Sequence, residues 1–373
     1  MARDFPLDLK SLQSVLDYLN LGVYITDRDR RIMLWNRKAE EITGYKSADV
    51  VGRCCRESIL CHVDKEGHLL CATHLCPLFR AMETDTASRQ PSLVFAQKAS
   101  GKRVATSVTV APLRNEEGEV IGGIESFQDE SANISDMEFA RKIQRHIMPA
   151  ALPANDSLKF DVRYYPHDLV GGDFYDVTDL GDGRFSIVVA DVRGHGVSAA
   201  LYTTVLKTID DSLAHLAHDP AEFLTALNRE LTRLVVDESF ATAVCAVVDT
   251  RDYRVLLASA GHPPALHYQA AHSQVHEVET FGLPLGIDAD EKYDSIAFYL
   301  MSGDTLLFYT DGITDITGKD KKPIGAKGLA ALLRQSISRP KSDLLEDIYL
   351  DAVESNAEVS VADDILLLSA SRN

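Results

Sequence analysis

The order of apolar and polar residues predicts an N-terminal half built from short strands. Leu12, Val15, Leu16 and Leu19 recur at helical spacing, which indicates an amphipathic helix over residues 11–20. The pattern then predicts two strands, a helix that Gly44 ends, and three more strands, over residues 22–27, 32–36, 37–45, 91–97, 103–112 and 119–128. A hairpin turn with the sequence NEEG is expected to join the last two strands.

The C-terminal half alternates longer strands with two helices. Strands are predicted at residues 159–165, 171–180, 184–191, 241–249 and 254–260. The run at 184–191 is almost entirely apolar and is therefore expected inside a sheet. Helices are predicted at 197–213 and 220–236, and Asp219 is expected to cap the second of them.

Composition and charge narrow the classes of function. A length of 373 residues favours two or three domains, and 45% hydrophobic with 25% charged residues is typical of soluble globular proteins. The net charge of -18 argues against nucleic acid or an anionic membrane as the main partner. Because no run of signal-peptide or membrane-spanning type occurs, we expect a cytoplasmic protein whose six cysteines form no structural disulfides.

Residues 10–130 resemble a PAS sensor domain. The resemblance rests on the block GVYITDRDRRIMLWNRKAEEITGY, the VVGR that follows, and the closing GEVIGGIESFQDES. It implies a five-stranded antiparallel sheet with helices on one face, and a role in sensing or dimerisation. It does not identify a ligand, because PAS domains hold haem, flavin, small acids or nothing.

Five of the six cysteines fall close together in the middle of this domain: Cys54, Cys55, Cys61, Cys71 and Cys76. Soft ligands at this density could bind zinc or an iron–sulfur cluster, with His68 and His74 interleaved. The spacing contains no C-x-x-C pair and so differs from that of a zinc ribbon. The alternative is a group of redox-sensitive or merely buried thiols, and the sequence leaves both interpretations open.

Residues 131–148 predict a single helix that connects the two halves. An apolar stripe from Ile134 to Met148 follows near-heptad spacing, and Ser135 with Glu138 fits a capping box. The helix is interpreted either as a surface helix or as a parallel coiled coil. The run EFARKIQRHIMPAALP resembles the linker before the catalytic domain of SpoIIE-like phosphatases, which favours the coiled coil and hence a homodimer.

Four aspartates are predicted at the ends of strands. Asp173 and Asp191 flank a Gly-Asp-Gly hairpin turn, so their strands are expected to pair and to bring both carboxylates to one sheet end. Asp311 and Asp363 lie at the ends of two later strands. Converging carboxylates repel one another unless cations lie between them, so the pattern predicts a hard divalent metal rather than ordinary strand-end turns. Neither a Ser, Cys or His nucleophile arrangement nor a Walker-type loop is evident.

An ordered set of motifs in residues 150–373 resembles the SpoIIE-like branch of the PPM protein phosphatases: LVGGDFYDV, VVADVRGHGVSAAL, SAGHPPALHY, GLPLGI, LLFYTDGITD and ADDILLL. The resemblance implies an α-β-β-α sandwich, two Mn²⁺ or Mg²⁺ ions, and hydrolysis of phosphoserine or phosphothreonine on a protein. By motif, Asp173 binds one metal, Asp191 bridges both, and the Val192 carbonyl completes one site. Asp311 and Asp363 are the remaining ligands, and the four aspartates are the expected catalytic residues.

Other residues in these motifs are expected to play supporting parts. Asp176 and Asp364 are interpreted as groups behind the metal ligands. His195 is expected to hydrogen-bond its own turn, and His262 is expected to have a structural role. Arg193 is interpreted either as a contact for the substrate phosphate or as a solvated side chain.

These predictions describe an α+β protein of three parts: a PAS sensor domain (1–130), a helical linker (131–150) and a phosphatase domain (151–373). We expect a metal-dependent serine/threonine phosphatase that the sensor domain regulates through the linker. The resemblance further suggests a STAS-type anti-sigma-factor antagonist as its substrate. The alternatives are a non-catalytic scaffold with the phosphatase fold, and a redox or metal sensor. Carboxylates at all four ligand positions favour the enzyme.

Overall fold

The computed structural model describes residues 9–57, 59–64, 67–71, 73–88, 90–194, 196–234, 239–317, 322–339, 343–354 and 363–373. The contacts divide the chain into two compact units, Met1–Asp136 and Met137–Asn373. The division falls within helix α5 (Ser131–Ile147), whose two ends therefore belong to different units. Over the described ranges, no helix has both the length and the apolar character that crossing a bilayer requires.

The first unit is built on one antiparallel sheet. Its strands are β1 (Gly22–Asp27), β2 (Ile32–Trp35), β3 (Ser92–Gln97), β4 (Arg103–Arg114) and β5 (Val120–Asp129). Its helices are α1 (Leu9–Asp17), α2 (Arg37–Thr43), α3 (Ser47–Val50) and α4 (Pro77–Thr84). The strand order β2-β1-β5-β4-β3, with these helices, confirms the predicted PAS fold.

Local sequence explains how the elements of this unit begin and end. The Asn36 side chain accepts a hydrogen bond from the amide of Ala39 at the start of α2. Gly44 ends the same helix with φ 79°, a conformation that favours glycine. Tyr24, Trp35 and Phe127 pack together on one face of the sheet, with ring centroids 5.5–6.3 Å apart. This aromatic group forms the centre of the unit's core.

The second unit contains two five-stranded sheets. The first sheet comprises β7 (Asp173–Gly181), β8 (Arg184–Val192), β9 (Ala241–Asp249), β10 (Arg254–Ala260) and β13 (Ser295–Tyr299). The second sheet comprises β6 (Leu158–Tyr165), β11 (Ala265–Gln269), β12 (Gln274–Val278), β14 (Thr305–Tyr309) and β15 (Ile365–Arg372). The helices are α6 (Val197–Ser212), α7 (Pro220–Leu234), α8 (Asp311–Thr314), α9 (Gly325–Ile337) and α10 (Leu344–Glu354).

The side chains of β14 show how these layers stack. Leu306 and Phe308 belong to the core that also contains residues of the first sheet and of α6 and α7. Leu307 and Tyr309 belong to a separate core shared with α9 and α10. Because successive side chains of a strand face opposite sides, one face of this sheet covers the other sheet and the other face covers helices. The predicted α-β-β-α sandwich is confirmed.

The connector helix α5 differs from its prediction in two respects. It begins at Ser131, so Ser135 and Glu138 lie inside the helix and the predicted capping box is wrong. Met148 packs into the core of the second unit and is not part of an exposed stripe. Phe139 and Ile143, which are 65% and 42% exposed, retain the exposure that a partner helix would need.

Candidate metal centre

Asp173 and Asp191 lie opposite each other in the β7–β8 hairpin. The turn between the strands is Gly181-Asp182-Gly183, and all three residues have positive φ. Residues directly opposite in an antiparallel pair point to the same face and have their Cβ atoms about 4.5–5.5 Å apart. The structure therefore confirms that the two carboxylates meet at one end of the first sheet.

Asp311 and Asp363 come from the second sheet. Asp311 is the first residue of α8 and lies two positions after the end of β14, and Asp363 lies two positions before the start of β15. These two strands pair with each other, so both aspartates lie at the same sheet end. Their charges reach the first sheet, because burial first and then Asp311 and Asp363 raise the pKa of Asp191 to about 7.

Thr310 links the two sheets at this point. Its hydroxyl accepts a hydrogen bond from the amide of Leu366 (2.9 Å) and donates one to Oδ2 of Asp173 (2.8 Å). An amide can only donate, so the single hydroxyl proton of Thr310 must face Asp173. Burial and the charge of Asp191 raise the pKa of Asp173, and the Thr310 hydroxyl opposes that rise. Sequence reasoning missed Thr310, although it precedes a predicted ligand.

Asp364 holds the glycine turn that precedes Asp173. Its two carboxylate oxygens accept hydrogen bonds from the amides of His167 (2.7 Å) and Gly172 (2.5 Å). A Cβ at Gly171 would lie 2.5 Å from Oδ2 of Asp364, closer than any real side chain could lie. Asp364 therefore supports the strand that carries Asp173, in the manner expected from the sequence.

Asp176 plays a different part from the one expected. Its carboxylate lies 3.4 Å from the ammonium of Lys207 on α6, which also contacts Asp210 and Asp211 at 3.3 and 2.8 Å. The residue therefore connects β7 to α6 and does not support a metal ligand.

The remaining motif residues have structural contacts. Arg193 is exposed, and its guanidinium lies 5.3 Å from the centre of the Phe240 ring. His262 lies within 2.8 Å of the Thr242 hydroxyl, and burial lowers its pKa to about 3, so it stays neutral. The prediction for His195 falls outside the described residues.

The donor set fits hard divalent cations. Burial, followed by neighbouring carboxylates, raises the pKa of Asp311, as of Asp173 and Asp191. A cation would offset this repulsion, and an all-oxygen set suits Mg²⁺ or Mn²⁺. Within the described ranges, no three His, Cys, Asp or Glu side chains lie close enough together to enclose an ion. The four aspartates lie at the same end of the sandwich, and their charges affect one another.

The predicted metal or cluster site in the first unit has no such support. Its five cysteines are free thiols, of which all but Cys61 are buried. The sulfurs of Cys54 and Cys61 contact different backbone carbonyls, those of Asp29 and Arg56, each at 3.6 Å. The described residues therefore show buried thiols and no metal-binding cluster.

Family models match both units. The model of Stage II sporulation protein E (SpoIIE) matches residues 181–373, more than half of the chain, and a PAS fold model matches residues 16–132. Asp191, Asp311 and Asp363 lie within the first match, whereas Asp173 precedes it.

Two curated relatives from Bacillus subtilis are phosphatases. The chain is 26% identical to phosphoserine phosphatase RsbU over 237 residues, covering 63% of this chain and 69% of the relative. It is 29% identical to phosphoserine phosphatase RsbP over 217 residues, covering 57% of this chain and 52% of the relative. The chain thus spans about half the length of RsbP.

Solved structures give the same result for the fold. The SiaA-PP2C domain of Pseudomonas aeruginosa matches with a TM-score of 0.56 and 28% identity, covering 65% of this chain and 97% of that domain. A Mycobacterium tuberculosis structure of RsbU and RsbW domains matches with a TM-score of 0.53 and 27% identity, covering 61% and 63% of the two chains.

Proposed function

Because the chain belongs to the SpoIIE family of serine/threonine protein phosphatases, we propose that it hydrolyses phosphoserine or phosphothreonine on a partner protein with two Mn²⁺ or Mg²⁺ ions. One observation carries this proposal. Asp191 lies opposite Asp173 in one sheet and within electrostatic reach of Asp311 and Asp363 of the other. Two sheets thus contribute carboxylates to one rim, where Asp191 is central.

The chain's own residues have distinct parts in this proposal. Asp173 would hold one ion, Asp191 both, and the Val192 carbonyl would complete one site. Asp311 and Asp363 would supply the remaining carboxylates. When bound, such ions activate water for attack on phosphorus and stabilise the charge that develops there. Thr310 orients Asp173 through the hydrogen bond described above.

For the substrate, we propose a phosphorylated STAS-type anti-sigma-factor antagonist. Motif resemblance to the SpoIIE-like branch supports this class, as do the two relatives named phosphoserine phosphatases. The structure of RsbU and RsbW domains from one Mycobacterium tuberculosis protein adds support for a partner-switching setting.

A substitution at Asp311 tests both parts of the proposal. With Mn²⁺, the wild type should hydrolyse p-nitrophenyl phosphate and release phosphate from a phosphorylated STAS-domain protein. Asp311→Asn should lower both rates by about a thousandfold, because it removes a carboxylate from the cation site. Asp182→Asn is the matched control, since the Asp182 side chain is 80% exposed at the tip of the β7–β8 hairpin.

The two assays separate the possible failures. A wild type no faster than Asp311→Asn with any divalent ion would support the scaffold alternative. Hydrolysis of the small ester without release from the STAS-domain protein would reject the proposed substrate alone.

We also propose that the connector helix regulates this site, and Gln144 supports this proposal. Its side-chain nitrogen donates to the carbonyl of Gly171 (2.6 Å) and to the Thr203 hydroxyl on α6 (3.1 Å). Its side-chain oxygen accepts from the amide of Gly171 (3.2 Å). Gln144 therefore binds both backbone groups of a residue two positions before Asp173. A shift of the helix would move the turn that places this carboxylate.

Gln144→Leu should lower the turnover number by about tenfold, because it removes these hydrogen bonds from a buried position. The measurement is steady-state hydrolysis of p-nitrophenyl phosphate at saturating Mn²⁺. Lys142→Leu, an exposed position of the same helix, is the control. Equal loss in both variants would show that only helix stability matters.

A further inference from the structure

The core of the first unit contains a polar cluster that phosphatase chemistry does not use. Its members are Cys71 and Cys76 before α4, His62, and Glu125 on β5. Their exposed fractions are 4%, 3%, 2% and 0%. We call this set the thiol–acid cluster. Glu125 lies opposite Tyr24 in the β1–β5 ladder, so the cluster adjoins the aromatic core.

The acid and the imidazole in this cluster are uncharged near neutral pH. Burial, with a smaller effect of Cys76, raises the pKa of Glu125 to about 8. Burial lowers the pKa of His62 to about 4, and its Nε2 lies 3.6 Å from Oε1 of Glu125. The Tyr24 hydroxyl is near enough to lower the pKa of Glu125, but no described group reaches either oxygen at hydrogen-bonding geometry. Glu125 is therefore a buried acid with a proton to give.

The two thiols lie close enough for each to shift the pKa of the other, and their surroundings differ. The sulfur of Cys71 accepts a hydrogen bond from the amide of His62 at 3.0 Å. Cys76 is the N-cap residue of α4, where the backbone amides of Leu78 and Phe79 lower the pKa of its thiol, although its side chain makes no capping hydrogen bond. Amides at a helix start stabilise negative charge, so the position favours a thiolate.

Arg30 adds a positive charge on the same side. Its guanidinium donates to the carbonyl of Cys71 at 2.9 Å and lies 5.1 Å from the centre of the Phe79 ring. The Cys71 thiol first, and then the amides and Arg30, lower the pKa of Cys76, whereas the pKa of Cys71 is raised. Of the two thiols, Cys76 is therefore the one whose surroundings favour negative charge, and those of Cys71 favour the protonated form.

We propose that Cys71 and Cys76 form a redox-active dithiol, which hydrogen peroxide oxidises to a disulfide. The Cys76 thiolate attacks one peroxide oxygen, so that an S–O bond forms and the O–O bond breaks. The departing hydroxide takes the Glu125 proton and leaves as water. The Cys71 thiol then attacks the sulfenic sulfur of Cys76, and a second water leaves as the S–S bond forms. Two thiols lose two electrons, and one peroxide gains them.

The other described thiols of this unit differ from Cys76: burial first, and then Glu125 and Cys76, raise the pKa of Cys55, so it keeps its proton. Cys54 and Cys61 contact separate carbonyls, and neither caps a helix. The disulfide would instead constrain the segment directly before α4, which packs on β4 and β5. Since β5 leads into the connector helix, a change in how α4 packs on β5 would reach the helix that we propose to regulate the phosphatase site. That regulatory consequence rests on the proposed function, whereas the dithiol chemistry does not.

Peptide mapping of the full chain tests the proposal directly. Cleavage after Lys65 and Arg80 releases both cysteines in one peptide, residues 66–80. Reduced protein treated with hydrogen peroxide should yield this peptide lighter by two hydrogen atoms, with Cys61 still alkylatable. In Cys71→Ser, dimedone should label Cys76. In Cys76→Ser, peroxide should consume the Cys71 thiol at least about tenfold more slowly than it consumes Cys76 in Cys71→Ser.

Two outcomes would overturn the dithiol. One is an unchanged 66–80 peptide at a peroxide dose that oxidises Cys61. The other is one zinc or iron per chain after anaerobic purification, lost in both serine variants. Trp35, the chain's single tryptophan, lies in the core beside this cluster and reports whether the variants fold. The wild-type peptide result stands even if they do not. Phosphate release from the same samples tests the proposed function separately.

Discussion

Both units of this chain bury carboxylates, but the two units differ in the hydrogen-bond donors that surround these groups. In the second unit, donors reach the acids: backbone amides bind Asp364, and the Thr310 hydroxyl binds Asp173. In the first unit, Glu125 is fully buried, and none of the described donors reaches it at bonding geometry. Donors favour the ionised form, and their absence favours the protonated form. The first arrangement suits cation binding, and the second suits proton transfer.

The largest expected effect comes from Asp191→Asn. Removing the central charge should lower phosphatase activity by about a thousandfold. The same change should raise the melting temperature in EDTA, because burial and neighbouring carboxylates disfavour the ionised Asp191. Circular dichroism of wild type, Asp191→Asn and the Asp182→Asn control measures this. A less stable Asp191→Asn would mean that the carboxylates do not repel one another.

Thr310→Val should weaken Mn²⁺ binding by about tenfold, the usual range for a group that orients a metal ligand. The change keeps the shape of the side chain but removes the donor to Asp173 and leaves the Leu366 amide unpaired. Titration calorimetry with Mn²⁺ gives the affinity, and Thr310→Ser should restore it. Normal affinity in the valine variant would limit Thr310 to a structural part.

Glu125→Gln should have the smallest effect on phosphatase activity, none in the reduced protein, but it should change the stability of the first unit. The pKa of Glu125 is about 8 in the folded protein, above its value in the unfolded chain. Glu125 therefore does not lower the free energy of unfolding at a pH below its unfolded pKa. It lowers this free energy increasingly as the pH rises from there to about 8. The glutamine variant should therefore exceed the wild type in free energy of unfolding by a few kcal/mol (about 2–4) at pH 8.5, and by far less at pH 5. Urea unfolding followed by Trp35 fluorescence measures the first unit. Glu119→Gln, in the exposed turn before β5, is the control.

The sequence was sufficient where the relevant contacts are local. Hairpin geometry fixes the register of Asp173 and Asp191, and Gly44 ends its helix through its own backbone conformation. Asp176 could also have been placed from sequence, since it lies three residues from Asp173 and must face the other side of the strand. Ser135 and Glu138 fit a capping box by spacing alone, yet the helix begins before them.

Contacts between distant parts of the chain were beyond that reasoning. Thr310 meets Asp173 across 137 positions, and Gln144 meets Thr203 across 59. Neither partner can be identified from spacing or composition, because the sandwich alone brings them together. The one signal in the sequence was a glutamine, Gln144, among the apolar positions of the connector helix.

The order of the strands has a consequence for how the site assembles. Asp173 and Asp191 belong to one hairpin, whose contacts are short-range and can form early. Asp363 takes its place only when β15 inserts between β14 and β6, which pairs residue 365 with residue 165. Closing so long a loop is slow, so Asp173 and Asp191 come together before Asp363 joins them. Mn²⁺ would then bind tightly only to fully folded chains, and adding it should slow their unfolding more than it speeds their folding.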